Sequence, residues 1–185
     1  MSKAKLGVAM FIVSEVNFFL LLIVAYAFYH AYPGAGPTAA DSLDVPRTAA
    51  FSVLLFSSSA TMWMAGRCYQ REGQRGVAVW LILTILLGGA FLLGQIYEYI
   101  ELYSHGVTFS RNMFGTTFFT LTGFHGIHVF VGLTAIAIVA WLVLLGEMKE
   151  KERHVQAFEA VSLYWHFVDA VWVVIFTLVY LWAFL

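Results

Sequence analysis

Five side chains with the chemistry to handle a proton or a metal ion stand out in apolar runs of this sequence. Glu15 lies in FIVSEVNFF. His125 and His128 lie three residues apart in GFHGIHVFVG. His166 and Asp169 repeat that spacing in YWHFVD, and Glu159 and Ser162 extend the same stripe. Residues three apart on a helix share a face. Carboxylates and imidazoles so arranged can pass protons, ligate a metal or a haem, or hold helices together by hydrogen bonds. For a metal site, two histidines on one helix are too few, and no HExxH pattern completes a set. The single cysteine, Cys68, supports neither a thiolate cluster nor an internal disulfide. A bis-histidine haem needs histidines facing each other from two helices, and His166 opposite His125 meets that condition. A stand-alone proton transporter would use Glu15, His125, His166 and Asp169 as its relay. It would also be expected to show an inverted repeat and broken helices, and the sequence displays neither. Packing and hydrogen bonding ask least of the pattern. They need only a buried polar cluster from three helices, in which carboxylates and imidazoles satisfy one another.

The elements that carry these residues are read from hydropathy. The chain is 61% hydrophobic and 11% charged, with mean hydropathy +0.82. Soluble domains run at about 45–50% and about 25%, so this is an integral membrane protein. Its near-neutral charge and scattered histidines give no footprint for nucleic acid. A crossing helix needs about 20 apolar residues. Five runs meet that requirement, at about 6–30, 49–66, 77–97, 113–145 and 160–185. The prediction is an all-α bundle of five transmembrane helices forming a single domain over 1–185. The fourth run is long enough that it must tilt or project. Strict apolar/polar alternation is missing, which argues against a β-barrel. The first run carries Glu15 and lacks a small-residue cleavage site, so it reads as a mature helix rather than a signal peptide.

The connecting segments assign the sides. Lys3, Lys5, Arg67, Arg71, Arg75, Lys149, Lys151 and Arg153 fall on one side, against Arg47 and Arg111 on the other. By the positive-inside rule the N-terminus is cytoplasmic and the C-terminus outside. The outer segment from Ala31 to Arg47 holds Pro33, Gly34, Gly36, Pro37 and Pro46, a turn-rich connector in which Asp44 is placed to cap the second helix. Glu15 lies nine residues after Leu6, roughly 13 Å into the bilayer at about 1.5 Å per residue. An ionisable group at such depth costs on the order of 2.5–3.5 kcal/mol to insert, so each needs a partner or a purpose. Gly123, Gly126 and Gly132 thin the helix of the histidine pair, as small residues do where membrane helices approach closely.

Four segments carry a family resemblance. FGTTFFTLTGFHGIHVFVG (Phe114 to Gly132) and FEAVSLYWHFVDAVWVVIFTLVYLW (Phe158 to Trp182) resemble the C-terminal part of subunit III of haem–copper terminal oxidases. MFIVSEVNFFLLLIVAYAFYH (Met10 to His30) is similar to the family helix that bears a buried carboxylate in an SEV motif, here Ser14-Glu15-Val16. GQIYEYIEL (Gly94 to Leu102) matches the end of another family helix. The resemblance covers nearly the whole chain in order. It implies an accessory, non-redox subunit of a proton-pumping cytochrome c oxidase, with no cofactor or metal of its own. The haem and copper are then expected in the catalytic subunit I beside it. Other implied partners are the remaining oxidase subunits, membrane phospholipids and, where one forms, a respiratory supercomplex.

By the same resemblance Glu15 is the intramembrane carboxylate. His125, His128, His166, Asp169 and Glu159 are a polar framework or lipid-cleft set. Many relatives have seven helices, and the match here begins just before the SEV helix. This is the short five-helix form, which points to a bacterial plasma membrane. A quinol oxidase subunit III, a nitric-oxide-reductase-associated homologue, a stand-alone proton transporter and a b-haem membrane anchor are the alternatives.

Overall fold

Hydrocarbon offers the backbone no hydrogen-bond partner, so a crossing segment must satisfy its own groups, as a helix does. The computed structural model describes residues 3–31, 39–71, 74–110, 113–146 and 151–182, and among these every regular element is helical. The elements are α1 (Lys3–Ala31), the short α2 (Ala39–Ser42), α3 (Val45–Arg71), α4 (Gln74–Ser104), α5 (Met113–Leu144) and α6 (Lys151–Phe176). α6 runs on into a five-residue π-helical stretch, Thr177–Leu181. Among the described residues five helices are long and apolar enough to cross a membrane, as the expected fold class requires. The connector residues Pro33, Gly34, Gly36 and Pro37, with Arg111 and Lys149, lie outside the described residues. So do the side chains of Lys3, Lys5, Arg71, Arg75, Lys151 and Arg153.

Helix ends depart from the hydropathy runs for local reasons. α3 starts at Val45 rather than about 49 because Asp44 caps it, its Oδ1 accepting from the Arg47 N–H at 3.1 Å. Pro46 fits in that first turn, where an N–H has no helical partner to lose. α4 continues to Ser104, beyond the expected end near 97. Its stop is a Schellman turn. Gly106 takes φ 78°, the Val107 N–H bonds the Leu102 carbonyl at 3.0 Å, and the Gly106 N–H bonds that of Tyr103 at 3.1 Å. Leu102 and Val107 are both buried, supplying the apolar contact of that motif. α6 begins at Lys151 rather than about 160, because KERHVQAFEA is helical without being apolar.

Four helices close a ring: α3 packs on α4, α4 on α5, α5 on α6, and α6 back on α3. α1 lies outside it, against α5 and α6. Only 6% of the α1 span is buried within the chain, against 39% for α5 and α6. The ring centres on two fully buried tryptophans of α6, Trp165 and Trp172. Their Nε1 groups donate to Ser58 Oγ (3.1 Å) and Ser52 Oγ (2.9 Å) on α3. Two glycines make the seat for Trp165. A Cβ on Gly132 would stand 2.8 Å from its ring, and one on Gly88 would stand 2.9 Å from it. Gly123 and Gly126, also expected at a tight seam, have room for a Cβ at ordinary contact distance.

These contacts separate two substitutions of the same kind. Gly132→Ala should destabilise the bundle by about 1–3 kcal/mol through overpacking against Trp165. Gly89→Ala meets nothing within 4 Å and should be neutral or slightly stabilising. Thermal unfolding in mild detergent, followed by tryptophan fluorescence, compares the two. Equal midpoints would reject the seat.

Candidate functional site

Glu15 and His128 meet across α1 and α5. His128 Nε2 lies 3.0 Å from Glu15 Oε2, with the two side chains 13% and 18% exposed. His128 Nδ1 lies 2.7 Å from the Phe124 carbonyl. A carbonyl only accepts, so Nδ1 carries a proton. The Glu15 contact then holds one further proton, either on the carboxyl as a neutral pair or on Nε2 as an ion pair. Phe18 and Phe19 flank the imidazole, and Tyr164 OH donates to the His128 carbonyl at 3.2 Å. The polar neighbours Ser14 and Asn17 turn back onto carbonyls of their own helix, those of Phe11 and Val13. Glu15 is thus held by one partner from another helix.

His125, one turn from His128, is separate. It is fully buried, stacked on Trp172 at 4.9 Å between ring centroids, with Phe19 and Phe91 edge-on. Neither ring nitrogen has a hydrogen-bond partner among the described residues. The shared helix face predicted for the pair does not make a joint site.

His166 and Asp169 meet a residue that the sequence reading passed over. Ser59 Oγ of α3 is hydrogen-bonded to Asp169 Oδ2 and lies 3.0 Å from His166 Nδ1. Glu159 is half-buried, two turns before His166 on α6. The residues expected in one polar cluster are therefore divided among an α1–α5 pair, an isolated imidazole and an α3–α6 triad. Among the described residues, no group of three or more His, Cys, Asp or Glu side chains is placed to hold a metal ion.

A further buried carboxylate went unrecognised. Glu98 accepts from Thr48 Oγ1 (2.8 Å), Tyr180 OH (2.7 Å) and Gln95 Nε2 (3.2 Å), joining α3, α4 and the π-helical stretch. One turn on, Glu101 pairs with Arg47, whose guanidinium also lies over the Tyr97 ring at 5.2 Å. The signal was in GQIYEYIEL, where Gln95, Glu98 and Glu101 recur every three residues on one face. Glu98→Ala leaves Tyr180 and Gln95 without their acceptor, at about 1–3 kcal/mol for each buried group. Glu98→Gln keeps an acceptor oxygen and should cost less. Thermal midpoints of the two variants in detergent test this, and an Ala variant as stable as the Gln variant would count against the network.

Comparison with known proteins adds to this geometry. The family profile of cytochrome c oxidase subunit III matches residues 1–184. The cytochrome c oxidase subunit 3 of Corynebacterium diphtheriae is 38% identical over 182 residues, covering 97% of this chain and 88% of the relative. That of Synechocystis sp. is 39% identical over 176 residues, covering 95% and 74%. That of Mycosarcoma maydis is 35% identical over 189 residues, covering 96% of this chain and 66% of the relative.

Proposed function

The chain belongs to the cytochrome c oxidase subunit III family, and from that premise we propose that it is the accessory, non-redox subunit of a proton-pumping oxidase that takes its electrons from cytochrome c. The haem and copper are assigned to the catalytic subunit I, and this chain's part is to support that subunit's stability, lipid contacts and proton uptake. The observation that carries the reading is the Glu15–His128 contact. It places a proton between two titratable groups at membrane depth, on the helix that is least buried within the chain. With so little of its surface covered by its own bundle, α1 has an apolar face open to phospholipid and to neighbouring subunits. The positive-inside distribution of basic residues supports an N-terminus on the inner side, with Glu15 then in the inner half of its span, and the short five-helix form supports a bacterial plasma membrane.

Two measurements test this. A tag on the chain should pull an oxidase from native membranes in mild detergent, and its reduced-minus-oxidised spectrum should show haem a bands at near-stoichiometric amount. Haem b alone would point instead to a quinol or nitric oxide enzyme, or to a b-haem anchor. No haem in an intact complex would sink the oxidase assignment. Glu15→Ala should leave haem content and initial oxygen consumption largely intact while slowing proton uptake or shortening the active lifetime. Loss of haem on this substitution would reject the accessory role.

A further inference from the structure

Asp169 is 5% exposed, and its Oδ1 has no hydrogen-bond partner among the described residues. Its Oδ2 contacts Ser59 Oγ, which also lies 3.0 Å from His166 Nδ1. The triad stands close to the middle of its span: His166 is eleven residues from Val155 and fifteen from Leu181. An ionised carboxylate with an unpaired oxygen is the costliest occupant of such a site. No basic side chain is brought to Asp169 by a hydrogen bond or ion pair among the described residues. From α3 comes Ser59, beside Ser58, which already bonds the Leu55 carbonyl and the Trp165 Nε1. Glu15 of α1 and His128 of α5 pair with each other, and Arg47, Glu98 and Glu101 belong to the other network. Glu159 lies two turns before His166 on α6, and farther still from Asp169.

A hydroxyl has one proton to donate and lone pairs to accept, so the triad can be wired in two directions. In one, Asp169 is a neutral acid donating from Oδ2 to Ser59 Oγ, and Ser59 donates to His166 Nδ1. In the other, His166 Nδ1–H donates to Ser59 Oγ, and Ser59 donates to the Asp169 carboxylate. The imidazole is only half-buried. With Nδ1 turned inward to Ser59, the Nε2 edge is the one left to face outward.

We propose that Asp169, Ser59 and His166 form a proton-storing relay, in which Asp169 holds one proton inside the bundle and Ser59 passes it to His166 at the bundle's edge. In the transfer the Asp169 O–H bond breaks as Ser59 Oγ takes that proton. Ser59 gives its own proton to His166 Nδ1. Asp169 becomes a carboxylate, His166 becomes an imidazolium, and the triad's total charge is unchanged. Release of the Nε2 proton to polar groups of an adjoining subunit empties the store, and the reverse sequence refills it. The relay joins α3 to α6 and does not depend on the Glu15–His128 reading, which concerns α1 and α5.

The test is infrared spectroscopy on the intact complex in mild detergent, in light and heavy water. The wild type should show a protonated-carboxyl C=O band, shifted by deuterium, that is missing in Asp169→Asn. Ser59→Ala should retain the band, shift its frequency and slow its isotope exchange by at least about tenfold. Ser59→Thr, which keeps a hydroxyl, should restore the exchange. If Asp169→Asn does not assemble, the frequency shift in Ser59→Ala identifies the band. Absence of any such band would mean that Asp169 is ionised, and would overturn the store. Exchange as fast in Ser59→Ala as in wild type would overturn the relay.

Discussion

A polar atom inside a lipid bilayer has no water to turn to, so its hydrogen-bond partner must come from another helix or from its own backbone. The bundle is organised around that requirement. Glu15 and His128 join α1 to α5, and Ser59 with Asp169 and His166 joins α3 to α6. Thr61 and Thr84 bond at 2.8 Å between α3 and α4, and Tyr99 and Thr122 at 2.7 Å between α4 and α5. Glu98 gathers α3, α4 and the π-helical stretch onto one carboxylate. Five apolar cylinders could slide or rotate against one another at little cost. Each polar bridge fixes a register and a rotation, because breaking it strands both partners.

Packing supplies what the bridges do not. Lipid tails are as apolar as leucine, so helices in a membrane associate through close fit rather than through escape from water. Trp165 shows how close that fit is: its ring lies against Gly88 of α4 and Gly132 of α5 while its Nε1 reaches Ser58 of α3. One side chain therefore touches the three other members of the ring. α1 has no such anchor. It is held at one side by a protonatable pair and aromatic contacts, with Leu20, Leu21, Val24 and Phe28 exposed along it.

The same sparing use of polar groups shapes the chemistry. Among the described residues, titratable groups sit in small separated sets, each closed by a few partners, instead of converging on a ligand. Such sets can hold or pass a proton. His125, enclosed by aromatic rings, and the buried Tyr26 hydroxyl depart from the pattern, neither having a hydrogen-bond partner among the described residues.

Hydropathy by itself was enough to establish five apolar helices and the membrane as their solvent, because about 20 apolar residues have few other stable settings. The SEV, GFHGIHV and YWHFVD segments were enough to reveal the family. Local chemistry was legible too: Asp44 capped the helix it was expected to cap. Pairing was not legible. With helices apolar nearly all round, spacing shows which residues share a face but not which face meets which neighbour. His125 and His128 have identical credentials in sequence, yet only His128 reaches Glu15. Ser59 reads as one serine in an SSS run until α6 brings His166 and Asp169 against it. Glu98 falls just past the apolar run expected to end near 97, and the Schellman turn at Gly106 lies far enough beyond it to leave it buried. Helix rotation and neighbour order are decided by contacts between residues distant in the chain, such as Trp165 between two glycines, and those exist only once the bundle has formed.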